Sequence, residues 1–337
     1  MQRYGQLVPN QCTSKKDMKK IALILLTFCI GLSVAAQDVS IYAPGETYLF
    51  VERDTCSLYL DVFRPTEGSE TTFEGKAKPA VVFVFGGGFI MGKRVDDFTR
   101  KWFQRLNDNG YAVVTIDYRL GMKGYQVGKG VSGLKKASDQ FYKSQQMGVE
   151  DLFSAIAFLS ENQEELGIDP MNLVVAGSSA GAIISQAAEY DIVCGRTAGL
   201  PEGFQFKGVM SFAGGVVSVS GEPKYMSAPC PVLMLHGTAD EAVAYEKLSM
   251  AGRGIWGSDF LSAQWKKKGY TGWCIYRFKD RTHDVAAYMD YLWDIEKPFL
   301  EQNVILGHAR TVDALIDDPT LPTWSITQVN LETIYNK

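Results

Sequence analysis

The chain has 337 residues, of which 46% are hydrophobic and 21% charged. Those proportions exclude a disordered, collagenous or coiled-coil polypeptide. The formal net charge is −4, and because the first 36 residues hold five basic side chains and one acidic one, the remainder carries −8. An acidic body without a long basic run argues against nucleic acid as the main partner.

The N-terminal stretch reads as an address. Lys19 and Lys20 precede an uncharged run over 21–37, with an apolar centre at 21–34. That centre has the length of a signal-peptide core and falls short of the roughly 20 residues of a membrane span. Val34-Ala35-Ala36 offers a small-residue cleavage site, with Gln37 as the new N-terminus, and Met18 is a natural start. Residues 1–36 are therefore expected to be a presequence, and 37–337 a single exported domain, periplasmic or secreted. Contact with the membrane is expected only through the presequence, whose retention as an anchor is the alternative. Cys12 and Cys29 leave with it. Cys56, Cys194, Cys230 and Cys274 remain, either as disulfides or as buried thiols, and the sequence leaves both open. It is equally silent on oligomeric state.

Strand and helix patterns alternate through the rest. The first two strands are predicted over 48–51 and 58–63, and a third over 80–85, where the unbroken run AVVFVF suits a strand covered on both faces. A helix over 95–109 is stopped by Gly110. A strand over 112–118 follows, then a helix over 148–166 with its apolar stripe at Val149, Leu152, Phe153, Ile156 and Leu159. Next come a strand over 173–176, a helix over 180–190, strands over 206–212, 232–235 and 273–278, and a helix over 284–300. This alternation predicts an α/β fold with a mostly parallel sheet of about eight strands and helices on both faces. In such a fold ligands bind beyond the carboxyl ends of the strands, which narrows the search to the residues just after each strand.

After the 173–176 strand stands Gly177-Ser178-Ser179-Ala180-Gly181. This is G-x-S-x-G with Ser179 at its centre, between an apolar strand and a small-residue helix, the setting in which a sharp turn presents one hydroxyl as a nucleophile. The third strand ends in Gly86-Gly87-Gly88-Phe89. Consecutive glycines suit a loop whose N–H groups hold an oxyanion, and they equally suit a flexible turn. A phosphate cradle fits less well, since no Lys-Ser/Thr follows.

Together, 86–89 and 177–181 resemble the α/β-hydrolase superfamily, in particular the carboxylesterases and hormone-sensitive-lipase-like esterases. Asp117-Tyr118-Arg119-Leu120 also matches a stretch common after the fourth strand of those enzymes. The resemblance covers about 58–300. It implies oxyanion donors at the N–H groups of Gly87, Gly88 and Ala180. Phe85 stands where many members have His, so the loop must be braced in another way.

A serine hydroxyl needs a neighbouring base. The chain has three histidines. His283 follows the last aromatic strand and is third in the chain order Ser…Asp…His expected of this fold. His236 closes the 232–235 strand and is assigned to structure, because the same resemblance places a His-Gly pair there; His308 lies in the C-terminal tail. The orienting acid is assigned to Asp240, in the loop after the penultimate strand, over the rivals Glu241, Asp259 and Asp280.

The segment 121–148 holds six glycines and five lysines, and is read either as a lid over the pocket or as a solvated insertion. Phe89, Tyr125 and Trp256 are candidate substrate-binding aromatics. The expectation is an exported serine esterase acting on a small-molecule or carbohydrate ester, with no metal and no organic cofactor required. A peptidase of the same fold and a catalytically silent carbohydrate-binding relative are the alternatives.

Overall fold

The computed structural model describes residues 45–323. The presequence with Met18 and the Ala36 cleavage site lies outside the described residues. In chain order the main elements are β1 (Glu46–Arg53), β2 (Cys56–Phe63), β3 (Ala80–Val84), α1 (Asp97–Asp108), β4 (Val113–Ile116), α2 (Gly130–Glu161), β5 (Leu173–Ser178) and α3 (Ala180–Val193). They continue with β6 (Gly208–Phe212), β7 (Gly215–Ser218), β8 (Val232–Gly237), β9 (Lys247–Met250), β10 (Arg253–Gly257), α4 (Ser258–Lys267), β11 (Trp273–Phe278), α5 (Trp293–Pro298) and β12 (Val312–Ile316).

Among the described residues nine strands form one sheet in the order β1-β2-β4-β3-β5-β6-β8-β11-β12. The β1–β2 and β2–β4 pairs are antiparallel; every pair beyond β4 is parallel. Strands β3, β4, β6 and β8 are buried at every position. This is why they read as continuous apolar runs: helices cover both faces. The ends of α1 follow local rules. Asp96 caps it, its carboxylate accepting the N–H groups of Phe98 and Thr99 while the Thr99 hydroxyl accepts the Asp96 N–H. Gly110 then turns the chain at φ +79°, where a Cβ would lie 1.9 Å from the Glu70 carbonyl oxygen.

Three elements depart from the expected pattern. Helix α2 begins at Gly130, well before 148, and runs for 32 residues. Only 121–129 of the expected lid is therefore loop. The rest continues the core helix, with Leu134, Ala137, Phe141 and Gln145 buried. The expected helix over 284–300 is broken into 3-10 turns at His283–Ala287 and Met289–Tyr291, then α5, then a π-helical stretch at Phe299–Ile305. Pro298 ends the regular helix there, having no N–H to donate. The ninth strand, β12, lies against β11 at the sheet edge, and its alternating half-exposed residues gave no buried-strand signal.

A second, three-stranded sheet in the order β9-β10-β7 grows from the turn after β6. Gln145 of α2 serves as its missing neighbour: its amide nitrogen donates to the Val217 carbonyl (3.1 Å) and its amide oxygen accepts the Val217 N–H (2.8 Å). An Arg253–Asp139 ion pair adds a second tie to α2.

Among the described residues Cys56, Cys194, Cys230 and Cys274 are free thiols. Burial raises the Cys274 thiol to about 11 and holds that of Cys230 well above its ordinary value. Both stay protonated, as small core hydrophobes do.

Candidate active site

Ser179 sits between β5 and α3 at φ 54° and ψ −115°, a positive-φ conformation that costs a non-glycine residue on the order of 1–3 kcal/mol. The fold holds it there. Its N–H donates to the Phe212 carbonyl at 2.9 Å, and its own carbonyl accepts the Ile183 N–H at 2.9 Å. The flanking glycines answer to crowding. A Cβ on Gly177 would lie 2.3 Å from the Gly181 backbone, and one on Gly181 would lie 1.9 Å from the Val84 oxygen. The start of α3 thus backs directly onto β3 and its own strand.

The base and acid come from loops after two adjacent parallel strands, β11 and β8. His283 Nε2 lies 2.8 Å from Ser179 Oγ, and His283 Nδ1 lies 2.7 Å from Asp240 Oδ2. Since a carboxylate only accepts, Nδ1 carries the proton and Nε2 faces the hydroxyl with its lone pair. Asp240 Oδ1 accepts the N–H groups of Ala242 (2.9 Å) and Val243 (3.0 Å). Burial opposes charge on Asp240, but His283, together with hydrogen bonds from His236 and His283, outweighs it and holds the carboxyl well below its ordinary value. The two loops are stitched together, with the Ala239 N–H donating to the Arg281 carbonyl at 2.9 Å. Gly237 permits this, because a Cβ there would meet the Arg281 and Thr282 oxygens at 2.3 Å.

The glycine loop closes the third side. Gly87, Gly88 and Phe89 all have positive φ, at 115°, 65° and 62°. The Ile90 and Met91 N–H groups turn back onto the Gly87 carbonyl, both at 3.1 Å. A Cβ on Gly86 would lie 3.2 Å from Ser179 Cβ, so this loop runs directly beside the serine. Among the described residues the N–H groups of Gly87, Gly88 and Ala180 have no backbone or side-chain acceptor, and they remain free for an anionic oxygen.

An aromatic stack braces the loop. The Phe85 ring lies 4.4 Å from that of Tyr118, and the Tyr118 hydroxyl donates to the Phe85 carbonyl at 3.0 Å. Phe89 is a correction to the sequence reading. Its ring is fully buried, edge-on to Phe141 at 5.2 Å and to Tyr118 at 6.2 Å. It supports the loop from behind and presents no face to a substrate. The Met122 N–H donates to the Phe89 carbonyl (3.0 Å), so the start of 121–148 packs onto this support. Trp256 is likewise buried, within β10, while Tyr125 is half-buried.

The other candidates lie elsewhere. His308 is exposed and faces Gln302. Asp259 pairs with Arg277, and Glu241 and Asp280 are exposed. The Asp117–Leu120 stretch serves the scaffold. Arg119 and Arg53 both bind the buried Asp151 of α2, and Arg94 joins Asp61 to Asp117. Sequence reasoning missed the part played by Ser178, which shares the motif's small-residue signal but points away to the His283 loop. Among the described residues no group of three or more His, Cys, Asp or Glu is placed to hold a metal ion. No helix there is long and apolar enough to cross a membrane.

Residues 13–189, just over half of the chain, match the Carboxylesterase family. The chain belongs to the carboxylesterase family. The match contains the glycine loop and Ser179 and ends before Asp240 and His283, so the acid and base are read from geometry. Para-nitrobenzyl esterase of Bacillus subtilis is 30% identical over 152 residues, 45% of this chain and 28% of that protein. Juvenile hormone esterase of Tribolium castaneum is 32% identical over 133 residues, 39% and 20% of the two chains. Neuroligin-like protein glit-1 of Caenorhabditis elegans is 31% identical over 139 residues, 40% and 16%. The chain thus spans under a third of the length of these relatives. A thermophilic esterase of Thermogutta terrifontis superposes with a TM-score of 0.54 at 22% identity, covering 77% of this chain and 93% of that one. It shares the carboxylesterase-family fold.

Proposed function

We propose that this carboxylesterase-family chain is a serine esterase that hydrolyses carboxylic esters through an acyl-enzyme. The observation that carries the reading is the continuous contact from Ser179 Oγ through His283 to Asp240, at 2.8 and 2.7 Å, beside three unpaired backbone N–H groups. As Ser179 Oγ bonds to the ester carbonyl carbon, its proton passes to His283 Nε2. The carbonyl electron pair moves onto oxygen and is held by the N–H groups of Gly87, Gly88 and Ala180. Asp240 stabilises the imidazolium. The tetrahedral species then expels the alcohol oxygen, which takes the proton from His283. Water attacks the acyl-enzyme by the same steps in reverse, releasing the acid and restoring Ser179.

Export belongs to the same proposal and rests on the sequence: Lys19-Lys20, the apolar run and the Val34-Ala35-Ala36 site. An exported esterase meets extracellular or periplasmic substrates, so the proposed substrates are small-molecule esters and acyl groups on carbohydrates. The test is a panel of p-nitrophenyl esters, acylated oligosaccharides and aminoacyl-anilides, run with the wild type and Ser179→Ala. Ester turnover lost on that substitution supports the reading. Anilide turnover without ester turnover would make the chain a peptidase. Glycan binding without turnover would make it a silent binding protein.

A further inference from the structure

We propose that His236 is a second positioning residue of this site, an imidazole that clamps Asp240 in its working rotamer; the inference rests on the triad reading above. His236 is completely buried at the end of β8. Its Nε2 lies 3.0 Å from the Val243 carbonyl and 3.3 Å from Asp240 Oδ2. Both groups only accept, so Nε2 carries a proton and shares it between them. On the other side, Nδ1 lies 2.8 Å from Ser258 Oγ, and the Tyr245 ring meets the imidazole edge-on at 5.7 Å.

The ring thereby acts on both oxygens of the acid. Its Nε2 faces Oδ2 at 3.3 Å, beside His283. It also fixes the carbonyl of Val243, whose N–H is one of the two bonds to Oδ1. Asp240 receives three hydrogen bonds, from His283 on Oδ2 and from Ala242 and Val243 on Oδ1, with His236 Nε2 facing Oδ2 at 3.3 Å. These contacts on both oxygens favour the rotamer that faces His283. Ser258, the first residue of α4, anchors the clamp to the junction with β10.

The test uses His236→Phe, which keeps a flat ring without donors, and His236→Gln, which keeps an amide N–H at the ε position. With p-nitrophenyl butyrate, His236→Phe should lower kcat by about 10- to 100-fold with KM nearly unchanged, the signature of misplacement. His236→Gln should recover most of that loss. In an Asp240→Asn background His236→Phe should cost nothing further. The low-field imidazole N–H proton of the His283–Asp240 bond, read by NMR in the Ser179→Ala protein, should be present there with His236 intact or replaced by Gln, and lost with His236→Phe. Unchanged kcat and an unchanged proton signal in folded His236→Phe would overturn the proposal, as would full additivity with Asp240→Asn. If the wild type hydrolyses no ester, the esterase reading fails and the proton signal alone decides the clamp. Should His236→Phe not fold, Ser258→Ala carries the same test. A fall in kcat at constant KM with a shifted proton signal supports the clamp, and no change in either contradicts it.

Discussion

The hydroxyl of Ser178 donates to the carbonyl of Ala286 at 2.7 Å, tying the residue before the nucleophile to the turn that carries the base. Ser178 ends β5, and His283 follows β11, a strand that does not pair with β5, so this bond ties the serine turn to the histidine turn across the gap. Ser178→Ala leaves the Ala286 carbonyl short of a partner. Stability should fall by about 1 kcal/mol, read by urea denaturation. The specificity constant should fall by about 3- to 10-fold through kcat, read by steady-state ester hydrolysis.

Gly87→Ala should be far more damaging than its size suggests. The residue stands at φ +115°, and a Cβ would lie 1.9 Å from the Met91 carbonyl oxygen. The loop must move or strain, at a cost on the order of 1–3 kcal/mol, and its N–H must leave the oxyanion position. Activity should fall by about 100-fold or more, while the far-ultraviolet circular dichroism of the protein is retained. An alanine variant with wild-type kcat would show that this loop does not hold the oxyanion.

Glu189 predicts how stability depends on pH. It is buried on α3; Oε1 accepts the Cys230 N–H at 2.7 Å, and Oε2 has no hydrogen-bond partner among the described residues. Burial pushes its carboxyl up to about 7, against the weaker opposing pull of the Cys230 hydrogen bonds. A group raised in the folded state stabilises fully below its unfolded value, near 4.5, and that contribution drains away as pH rises through 7. Stability should decline between pH 5 and 8, by up to on the order of 3 kcal/mol from this group. Glu189→Gln should flatten the decline, as followed by thermal unfolding across that range.

Asp240 works in the opposite sense. Its folded carboxyl lies below the unfolded value, so its contribution is present above about pH 4 and is lost as pH falls further. Asp240→Asn removes this acid-side dependence. It should also lower kcat by about 10⁴-fold, because an amide favours the wrong imidazole tautomer. Ester hydrolysis and acid-induced unfolding, measured on the same preparation, test both effects.

The site was more legible in the sequence than the walls around it. Ser179, Asp240 and His283 each follow a strand whose buried run is unmistakable, and chain order did the rest. The helical start of α2 was hidden because Gly130, Gly133 and the lysines between 129 and 143 have the composition of a loop. Tertiary contacts make it a helix: Phe141 packs on Phe89, Gln145 binds Val217, and Gly148 lets Ile184 approach to where a Cβ would lie 2.4 Å from it. Phe89 looked like a pocket aromatic because it follows the glycines. Its positive φ and its burial against Tyr118 and Phe141 turn the ring inward, and no local pattern encodes that. The position of His236 was legible, but its contact with Asp240 was not, since it depends on how the loop after β8 folds back.

The most direct measurement of the central claim is the pre-steady-state reaction with p-nitrophenyl butyrate, followed by mass mapping of the acid-quenched protein. The expected result is a burst of about one p-nitrophenol per chain, with the butyryl group on the peptide containing Ser179 and neither burst nor adduct in Ser179→Ala. Butyryl found on another residue, or ester turnover undiminished in Ser179→Ala, would contradict it.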